Sequence, residues 1–419
     1  MEFAPAGRAL APPCASKPRM SQAPLLADAP APGRRTGGAA PVDLGVNLAA
    51  PVCALVVTHF HPQKGNQIEW QHPATFHSTG VEFKAMPAGS QENEMDYVFF
   101  RHHGLYGCAC FHRLWTGDAS ERAVRMRSVA AFSSRLHVLR RYQPQLSQHV
   151  RRLNEHPQDM SPLLGVLRSA AADASAEARA ALGVSAGAAD ASDSTPHLAL
   201  SQGLSQGGVG PSAFSSLTDF LGATVLTVWK AMLLRRRVLF FAPPPVGPAC
   251  DRSLCASLLL HSHSETVQRL FPTKLQPELL CYVTMSDVDT LEDCAYGYVA
   301  CTSEKLFEEK DHLWDVYLDS TRLVIDEKDG RTLQLTNRDK ERFHLLRHAD
   351  AQARQTGDPA VESFFRELNT KLFDGIASLK EDTVRELTPR SSWSNASAWP
   401  HDGLMIASRW PPDCRMIAS

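Results

Sequence analysis

The chain has 419 residues, 43% of them hydrophobic and 21% charged, with a formal net charge of −2. A single core stops growing near ~250–300 residues, so two or three domains are expected. The near-neutral balance gives no whole-molecule attraction to nucleic acid, and the composition is ordinary for a soluble globular protein.

Residues 1–50 are rich in Ala, Pro and Gly and poor in aromatics. Such a segment buries too little apolar surface to offset its ordering entropy and is expected to be a disordered tail. It lacks the basic start and apolar core of a secretory signal. Order is expected to begin at "PVCALVVTHF", 51–60, as a buried strand. "HPQKGNQ" supplies a turn and "IEW" begins the partner strand. "VEFKAM", 81–86, alternates in the manner of a strand, and "DYVFFRH" and "LYGCACFHRLW" read as two strands around Gly104. "RMRSVAAF" adds another. Leu136, Leu139, Tyr142, Leu146, Val150 and Leu153 recur at helical spacing, with Pro144 expected to kink or restart that helix. Residues 51–160 therefore form an antiparallel sheet followed by a helix.

Residues 161–212 read as a low-complexity Ala/Gly/Ser linker. Half of 169–190 is alanine, which favours a weak helix there. The second ordered block spans 213–385. Leu217, Phe220, Leu221, Val225, Val228 and Met232 form a helical face. "RVLFF" is a short apolar run bounded by proline, the mark of a strand buried on both faces. "LCASLLLH" reads as helix, "CYVTM" and "AYGYVACT" as strands, and "EKLFEEKDHLWDVYLD" as helix then strand. This alternation indicates an α/β lobe with a largely parallel sheet. "LVIDEKDGRTLQL" suggests a hairpin turning at Lys328-Asp329-Gly330, and two amphipathic helices follow as a shortened helical part. Residues 386–419 repeat Met-Ile-Ala-Ser and are expected to be a disordered or truncated tail. Asp219 and Lys230 interrupt the most apolar helical stretch, so no transmembrane segment is expected.

The ten cysteines contain no C-x-x-C pair and lie mostly in apolar runs, which fits reduced core thiols. The most metal-like group is His102, His103, Cys108, Cys110 and His112. Imidazole and thiolate suit zinc, and a zinc-dependent enzyme is one reading. Structural zinc sites, however, use C-x₂₋₄-C rather than C-x-C spacing, so the favoured reading is a strand with core thiols. His59 and His61 read as surface and turn residues. No nucleophile elbow, phosphate loop, metalloprotease or dinucleotide motif occurs. Carboxylates between Glu304 and Asp319 read as a solvated helix face. No catalytic residue, metal or cofactor is expected.

One charge feature stands out. Between 101 and 152 there are ten arginines against Asp118 and Glu121. A solvated helix face explains much of it. The functional alternative is a surface for an acidic partner or an anionic membrane, carried by Arg122, Arg125, Arg127, Arg140, Arg141, Arg151 and Arg152. Aromatics do not interleave with these arginines, which argues against nucleic acid.

"WKAMLLRRRVLFFAPPPVG" resembles the central helix-to-strand motif of DENN-domain proteins, with Arg235 where many carry Glu. "YVACTSEKLFEEKDHLWDVYLD" resembles their later motif, with Ala300-Cys301 in place of Gly-Thr. "VEFKAM", "YVFFRHHGLYGCACF" and "RAVRMRSVAAF" match the N-terminal part of the module. The combination is most similar to the LCHN-type DENN proteins. The resemblance spans 51–160 and 213–320. It implies an α/β (α+β overall) fold: a longin-like antiparallel sheet lobe sandwiched by helices, plus an α/β lobe with a largely parallel central sheet. It also implies a Rab-family small GTPase partner, promotion of GDP release, and a cytoplasmic protein recruited peripherally to membranes. A non-exchanging adaptor of the same fold is the alternative.

Overall fold

The computed structural model describes residues 44–118, 123–184, 211–260, 277–294, 297–319, 323–325, 333–356 and 360–377. Most of the expected N-terminal tail, Arg122, residues 185–210, the Lys328–Gly330 turn and the tail 386–419 lie outside these.

The first five strands are β1 (Ala54–His61), β2 (Gly65–His72), β3 (Met95–His102), β4 (Leu105–Trp115) and β5 (Val124–Ser133). They pair antiparallel in the order β2-β1-β5-β4-β3. Helix α1 (Val81–Ala85) contacts β1 to β5, and α2 (Leu136–Glu155) packs on β4 and β5. The alternation in "VEFKAM" produced one helical turn rather than a strand. Gly80 enters it with φ 88 in the left-handed region. One turn sets Val81 and Ala85 on the same face, where both are fully buried.

Helix α2 runs unbroken through Pro144. Pro144 is exposed, so the helical hydrogen bond that its missing N–H forgoes falls on the solvent side of the helix. The alanine-rich segment is helical as α3 (Ser161–Val184), with Leu163, Val166 and Ala170 buried and Asp173 accepting a hydrogen bond from the Tyr142 hydroxyl.

The second strand group follows helices α4 (Pro211–Leu221) and α5 (Val225–Leu233). It comprises β6 (Val238–Phe241), β7 (Glu278–Tyr282), β8 (Tyr298–Thr302), β9 (Val316–Leu318) and β10 (Leu323–Ile325). Strands β7, β8, β6 and β9 are mutually parallel, and β10 pairs back on β9 antiparallel. So "LVI" pairs antiparallel with the preceding strand, and the expected turn at Lys328-Asp329-Gly330 lies outside the described residues. Helices α6 (Gly247–Leu258), α7 (Val288–Asp293), α8 (Asn337–Thr356) and α9 (Ala360–Ala377) complete the described elements.

Strand β6 is buried on both faces, as its apolar run required. Val238 and Phe240 belong to the main core, while Leu239 belongs to a second core with Tyr298, Ala300, Trp314 and Tyr317. Strands β8 and β9 alternate between the same two cores. The two strand groups join through the parallel β3–β7 pairing, with Phe100 opposite Tyr282, making one ten-stranded mixed sheet. Fold class α/β, with an antiparallel half and a parallel half, is what the chain adopts.

Candidate functional site: the seam between the two strand groups

The β3–β7 pairing contributes a single register pair, so side chains must hold the joint. Lys84 of α1 does so first. Its ammonium donates to the Arg101 carbonyl at 2.8 Å and pairs with Asp287 at 2.5 Å. Asp287 in turn closes a capping box, accepting from the Thr284 N–H at 2.9 Å. The Ser303 hydroxyl donates to the Ala88 carbonyl at 3.1 Å and lies 2.9 Å from the Tyr282 hydroxyl. Glu304 accepts the Met285 N–H at 2.9 Å. Burial raises the Glu304 pKa; the Met285 hydrogen bond opposes this and nearby Asp287 adds to it. The expected helix over 304–311 is instead two short 3-10 turns, Lys305–Glu309 and Asp311–Leu313, and Glu304 is a backbone cap rather than part of a solvated face.

Helix α6 packs on β3, β7 and β8. Asp96 of β3 accepts N–H bonds from Val246 at 2.6 Å and Gly247 at 3.0 Å, at the start of α6. Asp251 of the same helix accepts from the Tyr97 hydroxyl at 2.6 Å and from Arg140 of α2 at 2.6 Å. A β-carbon on Gly247 would lie 2.6 Å from the Tyr97 ring, so only glycine lets α6 come this close. The contacts across the seam link residues up to 215 positions apart, and no local pattern announces them. Two large apolar side chains remain exposed on the segments that these bonds tie together: Phe83 at 55% and Leu306 at 51%.

The arginines separate into two groups. Arg127 is 8% exposed and makes a bidentate pair with Glu69 at 2.7 and 3.0 Å. Arg125 donates to the Asn154 carbonyl at 2.7 Å, and Arg140 is held by Asp251. Arg141, Arg151 and Arg152 are exposed on α2, with Arg152 3.1 Å from Asp159 and the Arg151 Nε 2.8 Å from the Met95 sulfur.

The supposed zinc group does not assemble. Cys108 is buried in β4, Cys110 donates to the Gln143 carbonyl at 3.4 Å, and His112 meets Asn154 at 2.9 Å. His102 and His103 lie at the far end of β3, because Cys110 is paired with Tyr97 and His112 with Met95. All eight described cysteines are unpaired, and seven are buried. Among the described residues no helix is long and apolar enough to cross a membrane.

The chain has relatives along most of its length. The family model described as DENN domain-containing protein 11 matches residues 55–328. DENN domain-containing protein 11 of Rattus norvegicus is 30% identical over 380 residues, covering 83% of this chain and 77% of the relative. That of Mus musculus is 30% identical over 394 residues, covering 86% and 80%. That of Xenopus laevis is 29% identical over 353 residues, covering 80% and 78%. The matched span runs from β1 past β10 and takes in both strand groups and the seam between them, and on this the chain belongs to the DENN domain-containing protein 11 family.

Proposed function

We propose that this chain is a guanine nucleotide exchange factor of the LCHN type that promotes GDP release from a Rab-type small GTPase. Membership of the DENN family is the observation that carries this reading. The seam adds a docking surface: exposed Phe83 and Leu306 sit on segments braced by the Lys84–Asp287 and Ser303–Ala88 contacts. Buried, well-positioned apolar anchors dominate protein–protein affinity.

An exchange factor makes and breaks no covalent bond. It holds the switch loops of the GTPase in a geometry that disrupts magnesium and phosphate contacts. Coupling is reciprocal, so a factor that weakens nucleotide binding is itself bound best by the nucleotide-free GTPase. A rigid, preformed surface suits that task. Arg141, Arg151 and Arg152 on α2 supply the surface for an acidic partner or an anionic membrane, at about 1 kcal/mol per charge near a bilayer.

The test is release of labelled GDP from a panel of Rab proteins by the purified full chain. Acceleration for at least one Rab, with tightest capture of its nucleotide-free form, is expected. Binding that ignores nucleotide state, with no acceleration, would make the chain an adaptor instead.

A further inference from the structure

Three imidazoles meet where β3 turns into β4. His102 pairs with Leu105 across a two-residue turn formed by His103 (φ 47) and Gly104 (φ 83). Positive φ at both positions is the geometry of a type I′ hairpin, which fixes the backbone that carries two of the rings. His77 arrives from the loop before α1. One ring nitrogen from each of the three lies within 4.8 Å of the others. The His102 and His103 ring centres are 4.4 Å apart, and those of His77 and His103 are 5.0 Å apart.

His102 is buried at 6% exposure, while His77 and His103 are exposed. Its Nε2 lies 2.7 Å from the His77 carbonyl oxygen. A carbonyl oxygen only accepts, so Nε2 carries the proton and Nδ1 keeps its lone pair. A ring that donates one N–H to a backbone carbonyl and offers its other nitrogen is the usual arrangement of a metal-bound histidine. The nearby Lys84 ammonium is offset by Asp287, which limits its repulsion of a cation.

We propose that His77, His102 and His103 form a binding site for a borderline divalent cation, zinc for preference, with a fourth position open to water. Imidazole sets suit zinc, copper and nickel rather than magnesium or calcium. Bonds of ~2.0–2.1 Å place tetrahedral donors about 3.3 Å apart. The two exposed rings close that distance by side-chain rotation around the fixed His102. The bound ion would tie the loop before α1 to the β3–β4 hairpin, next to the Lys84–Asp287 pair. The proposal does not depend on GTPase exchange.

Titrating the metal-free full chain with Zn²⁺ by calorimetry, and with Co²⁺ by visible absorption, tests it. One equivalent of tight binding is expected, with a Co²⁺ ligand-field band, a Zn²⁺-dependent rise in melting temperature and no competition from Mg²⁺. His77→Ala and His103→Ala should each weaken binding at least about tenfold, and their double variant should lose the thermal shift. A His59→Ala/His61→Ala variant should bind as the parent does. The proposal is overturned if the His77→Ala/His103→Ala variant binds like the parent, or if the parent takes up no stoichiometric ion.

Discussion

The carbonyl oxygen of Arg235 lies 2.2 Å from the point a β-carbon on Gly297 would occupy. Neither partner can yield. Arg235, at φ 54, is the left-handed residue closing helix α5, with its N–H on the Met232 carbonyl at 3.0 Å and the Arg236 N–H on the Ala231 carbonyl at 2.9 Å. This is a Schellman ending with arginine where glycine is usual. On the other side, Arg237 is held by Asp315 at 2.7 Å. Gly297→Ala therefore meets both an immovable carbonyl and the φ penalty at +74. Gly65, at φ +77, has nothing within 4 Å of a β-carbon. Gly65→Ala should cost only the φ term of ~1–2 kcal/mol, and Gly297→Ala clearly more, in paired denaturant melts. Equal costs would contradict the contact.

Lys230 and Asp339 form a buried ion pair at 2.7 Å, exposed by only 3% and 1% at their side chains. Removing one partner of such a pair costs ~3–5 kcal/mol, because the other charge is left stranded. Asp339→Ala should lower stability by that order, and pairing it with Lys230→Met should recover much of the loss.

The same pair predicts acid sensitivity. Burial pushes the Asp339 pKa up, but hydrogen bonds from Lys230 and Thr336 outweigh it, and the net shift is downward. A carboxylate with a lowered folded pKa adds stability above its unfolded value of ~3.9 and loses it as pH falls through the folded one. Unfolding followed from pH 6 to pH 2 should therefore show a steeper loss for the parent than for the Asp339→Ala/Lys230→Met variant.

Asp96 satisfies two backbone N–H groups at the start of α6 and a third on Tyr97 at 2.8 Å. Asp96→Ala strands these buried donors, at ~1–3 kcal/mol each for those that find no substitute. The loss should appear first as faster amide exchange in α6 and β3.

Phe83 and Leu306 are exposed, so replacing them costs little in folding. On the proposed function, Phe83→Ser and Leu306→Ser should each slow the GDP release from the Rab that this chain stimulates by about tenfold or more, as loss of an interface anchor does, while melting temperatures stay close to the parent's. Unchanged release rates in both variants would move the docking surface elsewhere.

The strands were legible because burial on one or both faces writes itself as periodicity. "VLFF" and "YVACT" read correctly, and both fall in the parallel half between two cores. "VEFKAM" misled, because Val81 and Ala85 serve a single helical turn as well as they would a strand. The arginine excess was visible, yet only pairing partners far away in sequence could tell that Arg127 and Arg140 brace the interior while Arg141, Arg151 and Arg152 face solvent. Likewise, His102 and His103 stood out as candidate ligands, but their nearest third imidazole, His77, lay 25 residues upstream of His102 and outside any spacing rule.

Periodicity, proline and glycine placement, and the "LLRRRVLFFAPPPVG" segment by themselves determined the α/β class, the two strand groups and the family resemblance, because these depend on short-range pattern. Only the tertiary structure decided how the groups join into one sheet at Phe100 and Tyr282, and which charges hold the joint. Those pairings link residues more than a hundred positions apart, and their energy arises only once burial has removed water from both partners.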